Sequence, residues 1–530
     1  MLTTEKPTLS PNPRSPTPVQ DLRDWLGRAE ALGELRHITA PVDPDEEMGA
    51  VTYLVAKQTP SPAILFERPR GFESTDVRLL WNILGPSFRR VAMTLEEPPD
   101  TPVMELIRRL KDKMQQRIPP REVPRDEAPV FEQTLVGDQI DLTKLPFPKH
   151  WPLDGGRYAG TADAVITRDP DSGYLNVGTY RMMIQGPRQA GLYLSPGKDA
   201  RLHIARAWGR GEPIQVAAAW GVDPLFMVVG SQTFPKNLSE YDFAGGIKGE
   251  AIAVVRGQKT DLLVPANAEF VIEGEISPGS IKREGPFGEF TGYYGRPEAG
   301  CPLVDITAVH FRRQPILTNA LMADYPSCEQ AGFFSVARSA RIWSDLDRLG
   351  LPGITGVYAH PAAGGGFGMT VIALEQRYAG HAAQALALAA QVPGGSYYTK
   401  WIIAVDDDVE PTDTNQVIWA MATRCNPTED IDILRNTWST WLDPTQNPPD
   451  ERPYGSKALI NACMEHRYLP QFSKRTTLRK EVYDQVTSRW SELGLAGQAP
   501  PVRAFEQETN RVVYHEEGGF EPGTAAGPSM

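Results

Sequence analysis

The chain has 530 residues, of which 41% are hydrophobic and 23% are charged, and its formal net charge at pH 7 is −12. This length can form two or three domains with a sizeable core. The acidic balance argues against a nucleic-acid partner, because phosphate backbones bind basic surfaces. The sequence also lacks the run of about 18 apolar residues that predicts a membrane span.

The cysteines and the N-terminus both predict a cytoplasmic protein. Cys301, Cys328, Cys425 and Cys463 are far apart and form no Cys-x-x-Cys pair, a pattern typical of reduced thiols. Residues 1–20 are rich in proline and polar side chains and lack the apolar core of a signal peptide. We therefore expect them to form a disordered tail.

Residues 21–128 predict an N-terminal α/β region, because helical and strand-like hydrophobic patterns both occur there. Proline and charge are dense from Pro119 to Pro129, which indicates a linker at the end of this region. The predicted elements are a helix over Asp21–Leu35 with Asp21 as N-cap, strands at Ala63–Phe66 and Leu79–Ile83, and a helix over Thr101–Met114.

Residues 129–325 change to short apolar or alternating runs separated by glycine and proline, which predicts a β-rich domain, and we expect a barrel. One helix, near Ala200–Trp208, interrupts the pattern. The predicted strands include Ala162–Thr167, Gln215–Ala219, Ala251–Val255 and Phe270–Glu275.

Residues 326–515 alternate strands with helices, which predicts a C-terminal α/β domain. The three aspartates Asp406 to Asp408 predict a solvated strand end, because blocks of like charge usually stay in water. Residues 516–530 predict a second disordered tail. The predicted elements are Gly368–Leu374, His381–Ala390, Trp401–Val405 and Thr414–Thr423.

A predicted C-terminal helix presents one apolar stripe, which could pack on its own chain or on a partner. The stripe consists of Leu478, Val482, Val486, Trp490 and Leu493.

The stretch from Arg283 to Tyr293 reads Arg-Glu-Gly-Pro-Phe-Gly-Glu-Phe-Thr-Gly-Tyr and carries the most informative pattern. Glu284 and Glu289 flank Gly-Pro-Phe-Gly, which is unsuited to helix or central strand. A tight loop here can turn both carboxylates toward one point. If the loop is buried, their pKa values should separate and leave one acid and one base. On spacing alone, a surface turn with two solvated glutamates is the alternative.

Two motifs precede this loop: Asn-x-Gly-x-Tyr-Arg at Asn176–Arg181 and Ser-Glu-Tyr-x-Phe-Ala-Gly at Ser239–Gly245. With Glu-Gly-Pro-Phe-Gly-Glu, their order and spacing strongly resemble the UbiD-like decarboxylases, which use prenylated FMN. The resemblance covers roughly residues 20 to 495. Further matches lie at Tyr398–Lys400, Val405–Val409, Val417–Ala420 and Thr423–Arg424.

The resemblance implies that the central domain is a split β-barrel related to flavin reductases. It also implies a catalytic trio, matched here by Arg181, Glu284 and Glu289. In that scheme Glu289 gives and takes the proton at the reacting carbon, and Glu284 pairs with Arg181. A proton donor near neutral pH needs a raised pKa, which burial beside a second carboxylate supplies. For Arg181 taken alone, a surface salt bridge is the alternative.

The resemblance further implies a divalent metal, Mn²⁺ or Mg²⁺, beside the cofactor phosphate. Asn176 and Glu240 match two of its ligands, and oxygen-rich ligation suits these ions. The third family ligand is usually a histidine. In this chain Asp199 stands in that region and His203 follows four residues later. Either Asp199 replaces the histidine, or His203 takes its place after a register shift.

Other cofactor contacts are implied in the same way. A potassium ion is expected near Val229, Ser231 and Glu240. Lys400 matches a phosphate contact, since a lysine can reach a phosphate as a point charge; an exposed lysine is the alternative. The predicted cofactor-binding residues are Asn176, Thr179, Arg181, Lys198, Gln232, Glu240 and Lys400.

The implied function is reversible, non-oxidative decarboxylation of an aromatic, heteroaromatic or α,β-unsaturated carboxylic acid. A flavin prenyltransferase would supply the cofactor, and the chain would assemble as a homodimer or homohexamer. The stretches Arg424–Pro427 and Asn436–Thr440 favour aromatic acids by analogy. Two other functions stay open: an assisting subunit of a multi-subunit carboxylase, and an ordinary FMN oxidoreductase.

Overall fold

A computed structural model describes residues 18–502 and Phe505, except for residues 233, 236, 296–298, 447, 449, 450 and 470. Most of the two predicted tails, residues 1–17 and 516–530, lies outside this described part. Within it, helices and strands are both abundant, which confirms the mixed α/β class. No helix in the described ranges is long and apolar enough to cross a lipid bilayer.

The N-terminal region forms a small sheet covered by helices. Asp21 caps the first helix as predicted, because its Oδ1 accepts the N–H of Asp24 at 2.9 Å. The helices are α1 (Leu22–Ala31), α2 (Glu47–Val55), α3 (Phe88–Thr94) and α4 (Val103–Lys113). The sheet contains β1 (Leu35–Ile38), β2 (Ala63–Phe66) and β3 (Arg78–Trp81), whereas the short β4 (Arg121–Glu122) pairs with a strand of the middle region.

The middle region contains most of the strands. Three helices interrupt the described strands here: α5 (Asp199–Gly209), α6 (Leu225–Gly230) and α7 (Glu240–Lys248). The strands up to β11 are β5 (Gln133–Val136), β6 (Tyr158–Gly160), β7 (Asp163–Arg168), β8 (Leu175–Gly178), β9 (Met182–Gly186), β10 (Gln189–Leu192) and β11 (Ile214–Trp220). The later strands are β12 (Ala253–Arg256), β13 (Leu263–Pro265), β14 (Phe270–Ile276), β15 (Ile281–Glu284), β16 (Ala299–Phe311) and β17 (Ile316–Thr318).

Ten of these strands form one curled sheet in the order β6-β9-β10-β16-β14-β11-β7-β8, and β15 and β5 also pair with β16. β11 is buried along almost its whole length, because it runs between β14 and β7 in the centre of the sheet. The half-barrel agrees with the predicted barrel class. β17 leaves the middle region and pairs with β3, which ties the curled sheet to the N-terminal sheet.

The C-terminal region is an α/β layer, as predicted. Its sheet has the order β18-β19-β20-β22-β21, with β19, β20 and β22 parallel. The strands are β18 (Ile354–Ala359), β19 (Met369–Leu374), β20 (Trp401–Asp406), β21 (Ile431–Thr437) and β22 (Gly455–Ala462). The helices are α8 (Ala331–Arg348), α9 (His381–Ala389), α10 (Pro393–Ser396), α11 (Thr414–Arg424), α12 (Pro427–Asp430) and α13 (Lys480–Ser488).

One hydrophobic core spans all three regions and includes much of α8. α8 is buried from Ala331 to Leu346 and packs against both α4 and β18. This helix therefore joins the N-terminal and C-terminal regions.

Candidate active site

A buried ion-pair cluster joins the loop of the two glutamates to the start of β9. Arg181 donates from Nε to Glu284 Oε1 at 2.8 Å and from Nη2 to Glu284 Oε2 at 3.2 Å. Its Nη1 donates to Glu289 Oε1. All three side chains are buried. The structure therefore brings together the three residues that were predicted as catalytic.

Glu284 ends β15 and is fixed by several donors. Besides its two bonds from Arg181, it accepts the Tyr158 hydroxyl at Oε1 over 2.8 Å. The rings of Tyr193 and Phe287 lie 4.0 Å and 4.9 Å from the guanidinium carbon, which favours a cation at this place. Burial acts to lower the pKa of Arg181, but the two carboxylates raise it above its usual value. Arg181 is therefore a permanent cation.

Glu289 has different surroundings, because it lines a cavity and Glu284 does not. Burial raises the pKa of the Glu289 carboxyl to about 7; the negative charge of Glu284 adds to the rise and Arg181 opposes it. Its backbone N–H donates to the Tyr293 carbonyl at 2.9 Å, which fixes the end of the loop. A carboxyl group in this position can exchange a proton near neutral pH.

The cavity has a volume of about 180 Å³ and lies between the curled sheet and the C-terminal layer. Its polar end is formed by the β8–β9 turn and by the N-termini of α5 and α7, and its other end is walled by aromatic rings. The polar lining includes Asn176, Thr179, Lys198, Asp199, Gln232 and Glu240. The aromatic lining includes Phe290, Phe334, Phe367, Tyr397 and Trp438.

Glu240 is the first residue of α7 and accepts the N–H of Val177 at 2.7 Å. Burial raises the pKa of its carboxyl to about 8, and the negative charge of Asp199 contributes to the rise. The buried Asn176 amide lies 3.5 Å from the Tyr180 hydroxyl. A divalent cation between these groups would supply the positive charge that the buried carboxylates lack.

Asp199 and His203 occupy different places. Asp199 starts α5 and lines the cavity. His203 is fully buried on the same helix, and its Nδ1 hydrogen-bonds to Thr167 Oγ1 at 2.9 Å, on β7. Its ring packs edge-on against Tyr174, and it is absent from the cavity lining. Of the two open alternatives, the geometry favours Asp199 as the third oxygen ligand.

The described residues contain no group of three or more His, Cys, Asp or Glu side chains placed to hold a metal ion. The predicted metal ligands are not such a group, because one of the three is an amide: they are Asn176, Asp199 and Glu240. An amide and carboxylates are ligands that Mg²⁺ and Mn²⁺ accept. The donor chemistry therefore fits the predicted ion.

Three other predicted cofactor contacts also line the cavity. The Thr179 hydroxyl is buried and has no hydrogen-bond partner in the described part of the protein. A Cβ added to Gly230 would come within 3.2 Å of that hydroxyl, so the glycine keeps this wall open. Gln232 Nε2 donates to Ser231 Oγ at 3.0 Å, and Lys198 Nζ lies 5.5 Å from the Tyr397 ring centroid. These groups fit a ligand with several polar atoms.

Lys400 is not brought to the cavity. Its Nζ donates to Asp443 Oδ1 at 2.8 Å and to Thr445 Oγ1 at 3.2 Å. Lys400 also does not appear in the cavity lining. Its predicted phosphate contact would therefore need a different side-chain rotamer.

Several residues of the site were not predicted from the sequence. Tyr158 and Tyr193 contact the Arg181–Glu284 pair, and Asp154 binds the glutamate loop through the N–H of Gly288 at 3.0 Å. These residues belong to segments other than the motifs, so spacing along the chain gave no signal. Only the pairing of β6 with β9 places Tyr158 beside Arg181.

Comparisons with known proteins identify the family. Three profiles of the 3-octaprenyl-4-hydroxybenzoate carboxy-lyase UbiD match the chain: the N-terminal domain at residues 26–110, the Rift-related domain at 121–325 and the C-terminal domain at 332–462. A phenolic acid decarboxylase of Bacillus subtilis is 32% identical over 438 residues, which is 81% of this chain and 90% of the relative.

Solved structures agree. The UbiD-class enzyme HmfF from Pelotomaculum thermopropionicum, in complex with FMN, is 30% identical with a TM-score of 0.76, covering 86% of this chain and 97% of that one. Vanillic acid decarboxylase from Sedimentibacter hydroxybenzoicus, in its closed form, is 28% identical with a TM-score of 0.80, covering 89% and 98%. The resemblance predicted from the motifs is confirmed, and the chain belongs to the UbiD family of decarboxylases.

Proposed function

We propose that this protein decarboxylates an aromatic carboxylic acid with prenylated FMN, reversibly and without net oxidation. The observation that carries the proposal is the difference between the two buried glutamates. Glu284 is held by Arg181 and Tyr158, whereas Glu289 faces the cavity and burial raises its pKa to about 7.

The cavity residues fit the cofactor at its polar end. The orphaned hydroxyl of Thr179, the amide of Gln232 and the N-termini of α5 and α7 offer hydrogen bonds and positive dipole ends to a phosphate and its ribityl chain. Asn176, Asp199 and Glu240 would hold Mn²⁺ or Mg²⁺ beside that phosphate. K⁺ would lie near Val229. When bound, prenylated FMN supplies the electron sink for cleavage of the carbon–carbon bond.

The protein's own residues then position and protonate. Arg181 lies beside the cavity as a permanent cation and can orient a substrate carboxylate. Glu284 holds that guanidinium in place. Glu289, as the neutral acid, donates its proton to the carbon that loses carbon dioxide, and as the carboxylate it removes a proton from the same carbon in the reverse direction.

The aromatic end of the cavity favours a flat ring as substrate. The rings of Phe334 and Phe367 lie 4.0 Å apart, and Phe290 lies 4.8 Å from Phe367. Such a wall packs well against an aromatic acid. Two of the relatives are named as decarboxylases of phenolic acid and of vanillic acid. We therefore place phenolic acids first among candidate substrates.

Glu289→Gln tests the proposal. Glutamine keeps the shape of the side chain but has no acidic proton, so turnover should fall by roughly 100-fold or more while the cofactor stays bound. Carbon dioxide release and flavin content should be measured on the same cofactor-loaded sample. Glu275→Gln, on β14 outside the cavity lining, is a control of equal charge change. Turnover close to wild type in cofactor-loaded Glu289→Gln would reject Glu289 as the proton donor.

A further inference from the structure

The segment from His150 to Gly155, which we name the clasp, holds the N-terminal half of the glutamate loop. Asp154 Oδ1 accepts the N–H of Gly288 at 3.0 Å. The N–H of Gly155 donates to the Pro286 carbonyl at 2.9 Å. These two bonds attach the loop between Glu284 and Glu289 to a separate segment of the chain.

Asp154 also organises the clasp itself. Its Oδ2 accepts the N–H of His150 at 3.2 Å and the N–H of Trp151 at 3.0 Å. A carboxylate can accept all three backbone N–H groups, because it carries acceptor sites on both oxygens. An amide of the same shape cannot, because its NH₂ group would face at least one N–H donor.

The clasp and the loop are in close contact. A Cβ on Gly155 would lie 2.1 Å from the Gly285 carbonyl oxygen, and a Cβ on Gly288 would lie 2.2 Å from Trp151 Cδ1. Trp151 is itself fixed, since its Nε1 donates to the Met322 carbonyl at 3.0 Å. The loop therefore has little freedom to move while the clasp is intact.

Other backbone contacts hold the two ends of the loop and its C-terminal flank, where the N–H of Gly295 donates to the Phe287 carbonyl at 3.1 Å and Gly288 forms a β-bridge with Tyr294. β15 pairs with β16 up to Glu284, and the Glu289 N–H bonds to Tyr293. The bonds from Asp154 and Gly155 differ from these because they attach Gly288 and Pro286 to a segment more than 130 residues away along the chain. We propose that Asp154 is a positioning residue that sets the loop, and through it the placement of Glu289 against the cavity. This inference rests on the proposed role of Glu289.

Asp154 also contributes charge. Burial is the main cause of the raised pKa of Glu289; Arg181 opposes the rise, Glu284 adds to it, and the Asp154 carboxylate adds a smaller contribution in the same direction. Burial raises the pKa of Asp154 itself to about 6, so this charge is present near pH 7. Cys328 and Tyr397 are the other titratable groups influenced by the Glu289 charge. Removing the charge of Asp154 should lower the pKa of Glu289, so decarboxylation should fall off at a lower pH. A purely structural role would not move this limb of the pH profile.

Glu273 provides a matched control. It is a buried carboxylate on β14 that accepts the N–H groups of Gln258, Lys259 and Thr260 at 2.7, 2.9 and 2.6 Å. It also contacts His310 Nε2 at 2.7 Å and the Thr260 hydroxyl at 2.6 Å, and none of these partners belongs to the glutamate loop. Glu273→Gln and Asp154→Asn therefore remove the same kind of interaction at different places. Asp154→Ser is a second variant with a small hydroxyl acceptor, in case the asparagine variant does not fold.

The first experiment is hydrogen–deuterium exchange on the full chain without cofactor. Asp154→Asn or Asp154→Ser should speed exchange in a peptide spanning residues 284–293 by about tenfold, because a charge-assisted hydrogen bond is lost locally. Glu273→Gln should leave this peptide unchanged. Unchanged exchange in both folded Asp154 variants would overturn the proposal, and so would equal acceleration by Glu273→Gln.

The second experiment measures kcat, KM and pH dependence on cofactor-loaded protein. Asp154→Asn should lower kcat by about tenfold or more with little change in KM. In the plot of kcat against pH, the range in which the rate falls with rising pH should move to lower pH. A change in KM alone, or an unshifted limb, would contradict the positioning role. If the wild type itself releases no carbon dioxide, the proposed function fails, and the exchange experiment still decides whether Asp154 holds the loop.

Discussion

At the scale of single residues, the two glutamates show how position separates chemically identical groups. Glu284 accepts hydrogen bonds from Arg181 and Tyr158 and does not line the cavity. Glu289 contacts Arg181 from the cavity side and has a raised pKa. The two carboxylates therefore have different surroundings, and the assignment of one as acid and one as base stays a prediction.

The raised pKa of Glu289 leads to a pH prediction. Burial moves it from 4.5 to about 7, so in the folded protein the proton is retained up to near neutral pH. In the proposed mechanism decarboxylation needs the neutral Glu289 acid, so kcat should fall as pH rises through about 7. Because the folded state binds this proton more tightly than the unfolded state, protonation of Glu289 stabilises the fold. This stabilisation is fully present below about pH 4.5 and is lost as pH rises through about 7.

The measurement is a kcat profile of cofactor-loaded protein between about pH 5.5 and 9, with flavin content checked at each pH. Hydrogen exchange into the product, which needs the carboxylate, should show the opposite dependence. A decarboxylation rate that rises through the same range would contradict the assignment of Glu289 as the acid.

Asp199 and His203 give a second prediction at this scale. Because Asp199 lines the cavity and His203 bonds to Thr167, Asp199→Ala should release the metal and with it the cofactor, whereas His203→Ala should do little. Metal analysis and flavin content of the purified variants measure this directly. The reverse ranking would identify His203 as the ligand, and unchanged content in both variants would place the metal on other groups.

Sequence reasoning worked best where a motif and a place in the fold coincide. Asn176, Arg181, Glu240 and Glu289 line one cavity, and Glu284 lies beside it, bonded to Arg181. The prediction of a solvated end for Asp406 to Asp408 was wrong. Asp406 and Asp408 are buried because both accept hydrogen bonds from Arg424 on α11, a partner that local charge patterns do not reveal.

At the scale of secondary-structure elements, the spacing of hydrophobic residues predicted which segments form helices and strands. Where each element ends depends on its contacts in the folded protein. β2 and α9 start where the sequence indicated, and the strand predicted at Leu79–Ile83 ends at Trp81, because Asn82 adopts a positive φ of 51°. The clasp could not be predicted, because it has no regular structure and its role depends on backbone contacts with a loop more than 130 residues away.

The C-terminal helix leads to a prediction about assembly. α13 covers Lys480–Ser488, shorter than the predicted stripe, and has no buried residue. Leu478, Val486 and Leu493 are 47%, 40% and 48% exposed. An apolar stripe left exposed on its own chain favours a partner surface, and we propose a second copy of this chain.

A chain ending at Lys474 should therefore form smaller particles than the full chain in light scattering. Replacing Leu478, Val486 and Leu493 together by serine in the full chain should have the same effect, and Glu481→Gln on the same helix should not. A well-folded oligomer of unchanged size in both shortened and serine variants would reject the role of this helix.

At the scale of the whole molecule, the cavity depends on three regions. The curled sheet supplies Arg181 and the polar end, and the C-terminal layer supplies Phe367 and Tyr397. The N-terminal sheet supports both through β17 and through the core around α8. The sequence predicted three regions and their classes. It did not predict that β17, which follows the strands of the curled sheet, pairs with β3 in the N-terminal sheet, because a strand of three residues has too few side chains to indicate its partner.

The central claim is that this chain alone, loaded with prenylated FMN, releases carbon dioxide from an aromatic acid. The direct measurement is carbon dioxide release by the purified protein from a panel of phenolic acids, after expression with and without a flavin prenyltransferase. Cofactor mass and absorbance should be recorded for each sample. We predict release only from the sample made with the prenyltransferase. A chain that binds the prenylated flavin yet releases no carbon dioxide from any acid would instead fit an assisting subunit, and redox turnover with ordinary FMN would fit an oxidoreductase; either result would contradict the claim.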